Sequence, residues 1–197
     1  MQKPNDYETT KPYGEYEALP AGGYVCRIVQ VIETRSKKGK DMLQIALDIA
    51  EGEYQGKFQK EFSENTREDK KWPCTVYQLV LDAEGKTNRG LKTFLDAVEA
   101  SNPGFRVIWG DTFCDNLRHR LVGGIFGREA YEKANGNGTG WSTKCQSFRE
   151  TTAIREGRYQ IPEDKPLKAG RQQWQPATDP DGFMSIPDGA CEELPFN

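Results

Sequence analysis

A mainly β fold of five strands with one helical insertion, followed by a disordered acidic tail, is the architecture this sequence predicts. Three observations carry the prediction. Several segments alternate apolar and polar residues, or are rich in β-branched ones, and end at turn residues. One stretch between the third and fourth of these has its apolar residues at helical spacing. Beyond about residue 165 every apolar period is lost. At 197 residues the chain is long enough for one substantial core, while 29% charged residues and a mean hydropathy of −0.80 require much of it to sit in water as loops or tail.

Residues 1–18 hold Pro, Gly and Tyr without a sustained period and read as an irregular N-terminal arm. "GGYVCRIVQVIE" is a first strand, and "TRSKKGKD" is a basic turn centred on Gly39. In "MLQIALDIA", Leu43, Ile45, Leu47 and Ile49 face one way and Gln44, Ala46 and Asp48 the other, as in a half-buried strand. After the turn "EGEYQG", "KFQKEFSEN" reads as a third strand with Phe58, Lys60 and Phe62 on one face. Between Thr66 and Asp82, Trp72, Val76, Leu79 and Val80 suggest one side of a short helix. A firmer helix follows in "RGLKTFLDAVEASNPG", where Leu91, Phe94, Leu95 and Val98 recur at i, i+3, i+4 and i+7 before an Asn-Pro-Gly stop. "RLVGGIFGREAYE" and "GWSTKCQSFRETTAIRE" are the last two strands, joined by the glycine-rich hairpin "KANGNGTG". Three strands, a helix and two strands is the element order of an OB-fold, a five-stranded partly open barrel, here expected over residues 19–165. Residues 166–186, rich in Pro, Gly, Gln and Asp, read as a flexible linker, and 187–197 as an acidic tip.

Composition narrows the function. No run approaches the roughly 18 apolar residues of a membrane span, and the first residues lack a signal peptide's apolar stretch, so the expected location is the cytoplasm, with no membrane partner. Five cysteines without CxxC spacing read as reduced thiols, and the single histidine, His119, lies between two arginines as a surface residue. No metal, cofactor or catalytic residue is expected, and therefore no enzyme. From Pro162 onward three basic residues face seven acidic ones, a net of −4, which leaves +1 for residues 1–161.

Two phosphate-binding motifs fail on inspection. "EGKT" would need a glycine where Val80 stands, and "GNGTG" lacks the strand-then-helix context of a dinucleotide site. Binding of single-stranded DNA fits better. Lys37, Lys38 and Lys40 at a hairpin tip offer charge to phosphates without reading bases. Further cations, Lys60, Lys144 and Arg149, lie near aromatic rings that can stack on unpaired bases, with candidates Phe58, Trp72, Trp141 and Phe148. Core packing is the competing explanation for each ring.

The tail, "EELPF" from Glu192 through Glu193, Leu194 and Pro195 to Phe196, resembles the tip of bacterial and phage single-stranded-DNA-binding proteins, which also follows a Pro/Gly/Gln-rich linker. In that family the tip docks replication, recombination and repair enzymes, although its Phe is usually last and here Asn197 follows. The blocks "LPAGGYVCRIVQVIE", "LQIALDIAEGEYQGKF", "TREDKKW", "FLDAVEASNPGF", "LVGGIFGREAYE", "WSTKC" and "IREGRYQIPEDK" look like a phage-encoded family carried as a domain of unknown function. Together the resemblances imply a phage single-stranded-DNA-binding protein of replication or recombination, held in the cytoplasm of the bacterial host. Its tip would recruit replication or recombination proteins. The alternatives are an adaptor of a phage replication complex that does not bind DNA, or a metal-dependent nuclease, for which "EGE" at Glu51 to Glu53 and "RED" at Arg67 to Asp69 are poor material.

Overall fold

A computed structural model describes residues 2–5, 7–8, 18–133 and 138–167. The chain divides into two units, Met1–Lys165 and Pro166–Asn197. All but the first two residues of the linker, the acidic tip, most of the N-terminal arm and the tip of the last hairpin lie outside the described residues.

The elements run β1 (Gly22–Arg35), β2 (Asp41–Ile49), α1 (Lys57–Glu64), β3 (Thr75–Leu79), α2 (Arg89–Ser101), α3 (Phe113–Leu117), β4 (Leu121–Glu132), β5 (Thr139–Arg149) and α4 (Thr151–Arg155). The strands form one antiparallel sheet in the order β3-β2-β1-β4-β5. Among the described residues no helix is long and apolar enough to cross a membrane.

The predicted OB-fold barrel is not formed. Its closure needs the first and last strands of the series to meet, and here β3 pairs only with β2 and β5 only with β4. Helix α2 contacts both edge strands, and a trough separates them. The sheet is open, so OB-fold does not describe it, and strand binding cannot be argued from a closed barrel.

Three segments also change identity. Residues 151–155, expected as the end of the last strand, form helix α4 with Ala153 and Ile154 buried. Residues 57–64, expected as the third strand, are helical, because Phe58 and Phe62 are four apart and equally suit one helix face. Asp48 decides the matter from β2. Its Oδ1 accepts hydrogen bonds from the backbone N–H of Phe58 at 3.0 Å and Gln59 at 3.4 Å, satisfying the donors that a helix start leaves free. Gly56, at φ 73, supplies the left-handed residue that turns the chain into the helix. The third strand is instead "TVYQL" within the segment expected to be helical; Val76 and Gln78 pair with Ile45 and Leu43 of β2.

The main core lies on one face of the sheet. Cys26, Ile28 and Val31 of β1, Leu43, Ile45, Leu47 and Ile49 of β2, and Val122 and Phe126 of β4 are buried there. Helix α2 adds Leu91, Phe94, Leu95 and Val98, the helical stripe read from the sequence. Asn88 caps its start by accepting from Gly90 N–H at 2.8 Å. Asn102 ties its end to β4: Nδ2 donates to the Leu121 carbonyl at 2.8 Å, and Oδ1 accepts from Leu121 N–H at 3.0 Å. A smaller cluster on the opposite face joins Val25, Ala50 and Ile125 to Ile154 of α4, with Tyr159 packed against it. There Gly23 and Gly123 have no room for a side chain. A Cβ on Gly23 would sit 2.7 Å from the Tyr159 ring, and one on Gly123 2.5 Å from Ile154.

Candidate functional site

The β1–β2 hairpin is shaped by its backbone. Ser36 N–H donates to the Lys40 carbonyl at 2.8 Å, Gly39 N–H donates to the Ser36 carbonyl at 2.8 Å, and Ser36 Oγ accepts from Lys40 N–H at 3.0 Å. Gly39, at φ 74, takes the left-handed position. The side chains of Lys37, Lys38 and Lys40 are therefore free of any turn-forming duty, are exposed, and make no ion pair among the described residues. At the hairpin base Arg35 Nε meets Asp41 Oδ1 at 3.0 Å.

The expected stacking rings separate into two groups. Phe58 is 5% exposed and stacks on Phe126, and Phe148 is 4% exposed against Phe94; both are core. Trp72 is half-buried, and its indole N–H donates to the Leu47 carbonyl at 2.6 Å, which fixes the ring against β2. Neither Phe58 nor Phe148 offers a free face to a base. Trp141 does. It is 42% exposed on β5, with the Arg128 guanidinium 4.9 Å from its ring centre.

The remaining cations do not form one patch. Lys60 lies exposed on α1 with Glu64 at 3.9 Å. Arg149 lies at the end of β5, beside a hollow lined by Arg158 and Tyr159. Lys144 borders the trough between the sheet's edges and pairs with Glu129 at 3.2 Å; Lys165 also pairs with Glu129 at 3.2 Å. Partial burial works against the Glu129 carboxylate, but hydrogen bonds from the two lysines prevail and hold its pKa below the ordinary value.

Two exposed rings went unnoticed in the sequence. Tyr77, 58% exposed, stands on edge strand β3 opposite Gln44, turned away from the core residues Ile45 and Leu43. It lines the trough, whose volume is about 510 Å³, across from Lys144. Tyr131, 46% exposed, covers Gly140 on β5, where a Cβ would lie 2.6 Å from the ring. Tyr131 and Trp141 occupy opposite faces of the β4–β5 ribbon, because Trp141 pairs with Ala130, the neighbour of Tyr131. The signal for Tyr77 was the β-branched run "TVYQL", which places its tyrosine out of phase with Val76.

Among the described residues no group of three or more His, Cys, Asp or Glu could hold a metal ion. Glu51 is engaged by Arg155 at 2.6 Å and 3.0 Å, and these hydrogen bonds lower its pKa. Cys26, Cys74 and Cys145 are free thiols whose pKa values burial raises, that of Cys145 to about 12, so thiolate is scarce near neutrality. His119 is exposed at φ 65.

Residues 5–73 match a family described as "Protein of unknown function (DUF669)". The match covers β1, β2, α1 and Trp72, a little over the first third of the span over which the phage-family blocks were read. No curated protein matches the chain.

Proposed function

We propose that the folded unit binds an unpaired polynucleotide strand with little sequence preference, and that the acidic tip, Glu192 to Phe196, recruits enzymes of phage replication or recombination. The protein carries out no catalysis in this reading. Surface chemistry, and not barrel geometry, supports strand binding.

The carrying observation is the exposed Tyr77 on edge strand β3, which lines the open trough together with Lys144, and the three lysines without ion pairs among the described residues at the tip of the β1–β2 hairpin. Register gives the scale. Tyr77 stands opposite Gln44, and Lys40 lies four residues back along the same strand and turn, about 13 Å at 3.3 Å per residue. A strand following that line meets an aromatic face and mobile charge in succession, the combination that holds single strands without reading bases. Trp141, already partnered by Arg128, supplies a second ring on the neighbouring ribbon.

Titration of fluorescently labelled oligo-dT, with a duplex of equal length as control, tests the proposal. Tight binding of the single strand, weak binding of the duplex and a steep loss with salt are expected. Loss of the Tyr77 ring is expected to weaken oligo-dT binding by about 1 to 3 kcal/mol, the worth of one stacked base. Absence of oligo-dT binding at low ionic strength would refute the strand-binding part of the proposal.

A further inference from the structure

A second groove lies apart from the trough, beneath the segment that leads into α3. Its volume is about 830 Å³, and its floor is apolar, with Leu43, Leu91 and Phe113. Trp109 stands over it, 66% exposed, and is held in place: its ring stacks on Phe113 at 4.9 Å with 12° between the planes. Gly110, at φ 108, makes the reversal that folds the tryptophan back, and Phe113 N–H donates to the Gly110 carbonyl at 3.0 Å. The rim is acidic. Glu33 and Asp111 line it without an ion-pair partner among the described residues, and Asp41 joins them while paired with Arg35.

These features point to one kind of occupant. Exposed carboxylates repel a phosphate backbone, so the groove is no part of a polynucleotide path. A tryptophan with one face supported and the other open is the best ring for a cation, and it is enriched where binding energy concentrates. The volume suits a few side chains of a short extended segment and not a folded surface. We infer that this groove docks an extended segment of a partner protein in which lysine or arginine side chains flank an aliphatic anchor. The anchor fills the floor, one cation lies over Trp109, and another meets Glu33 and Asp111.

The test uses the full chain and a fluorescein-labelled peptide in which lysine alternates with isoleucine. A matched peptide with glutamate in place of lysine is the control, and anisotropy is the readout. The lysine peptide is expected to bind at least about tenfold more tightly than the glutamate one, Trp109→Ala to weaken it about tenfold, and Glu33→Gln with Asp111→Asn to weaken it similarly. Trp109 is mostly exposed, so its variant keeps the fold; an unchanged thermal midpoint checks this, and oligo-dT binding should be unaffected. Equal binding of the two peptides, or a Trp109→Ala variant that binds the lysine peptide normally, overturns the inference. Self-association that Trp109→Ala abolishes also overturns it, in favour of a second copy as the occupant.

Discussion

Replacing Lys37, Lys38 and Lys40 together by glutamine gives a prediction with a number attached. All three side chains are exposed and make no ion pair among the described residues, so each can release a counterion when it meets a phosphate. For single strands each such contact contributes about 0.7 to the slope of log affinity against log salt, so three contribute about 2. Raising salt fourfold would then cost the natural protein roughly 18-fold more affinity than the variant. The hairpin keeps its shape, since its hydrogen bonds run through Ser36, the Gly39 N–H and the Lys40 backbone. The measurement is anisotropy of labelled oligo-dT from low to moderate salt, for both proteins, with circular dichroism confirming the fold. A slope unchanged within about 0.5 would show that the hairpin does not touch the strand, and the proposed path would fail at its near end.

Four further outcomes follow from the geometry. Asp48→Ala removes the acceptor that starts α1 and should lower stability by about 1 to 3 kcal/mol in urea melts, with loss of helical signal. Asn102→Ala breaks the bridge from α2 to β4 and should cost about 2 kcal/mol, while an equal cost from changing solvent-facing Lys92 would contradict that account. Tyr24 has its pKa raised to about 12, chiefly by burial, from an ordinary 10.0. Its contribution to stability is therefore full below pH 10 and lost as pH rises toward 12, and Tyr24→Phe should flatten that alkaline decline. The Glu51 carboxyl is lowered by Arg155, so their pairing stabilises above the ordinary carboxylate range and fades as pH falls through the lowered value; Arg155→Gln should narrow the gap between neutral and acid melting temperatures.

Local periodicity was enough for β2 and α2, whose alternation and stripe match the faces they bury, while β1, β4 and most of β5 were legible from composition and from the turn residues that bound them. It misled at residues 57–65, where Phe58, Lys60 and Phe62 satisfy a strand's period of two while Phe58 and Phe62 satisfy a helix's step of four. The choice was made by Asp48, ten residues away from Phe58, and by the room beside Phe126. The segment at Thr75 erred in the opposite sense, since Val76, Leu79 and Val80 mimic a helical face, yet pairing with β2 draws them into the sheet. The site was partly legible. The hairpin lysines and Trp141 lie exposed as expected, because turn tips and ribbon ends face water. Phe58, Phe148 and Trp72 are taken up by packing or by a backbone carbonyl, which only tertiary partners reveal. Openness of the sheet was not legible at all, because it depends on whether two edges distant in sequence come within bonding reach.

The hollow at Gly23 and Gly123, filled by Ile154 and Tyr159, sets the minimum length of any fragment made for study. A fragment ending at Arg149 would uncover Val25 and Ile125 on a surface with no side chains of its own to shield them. It would also strip the segment whose Lys165 backbone bonds to Arg128 and Ala130. Such a truncated product would present bare strand and oily surface together, and clumping in the tube would say nothing about what the intact molecule binds.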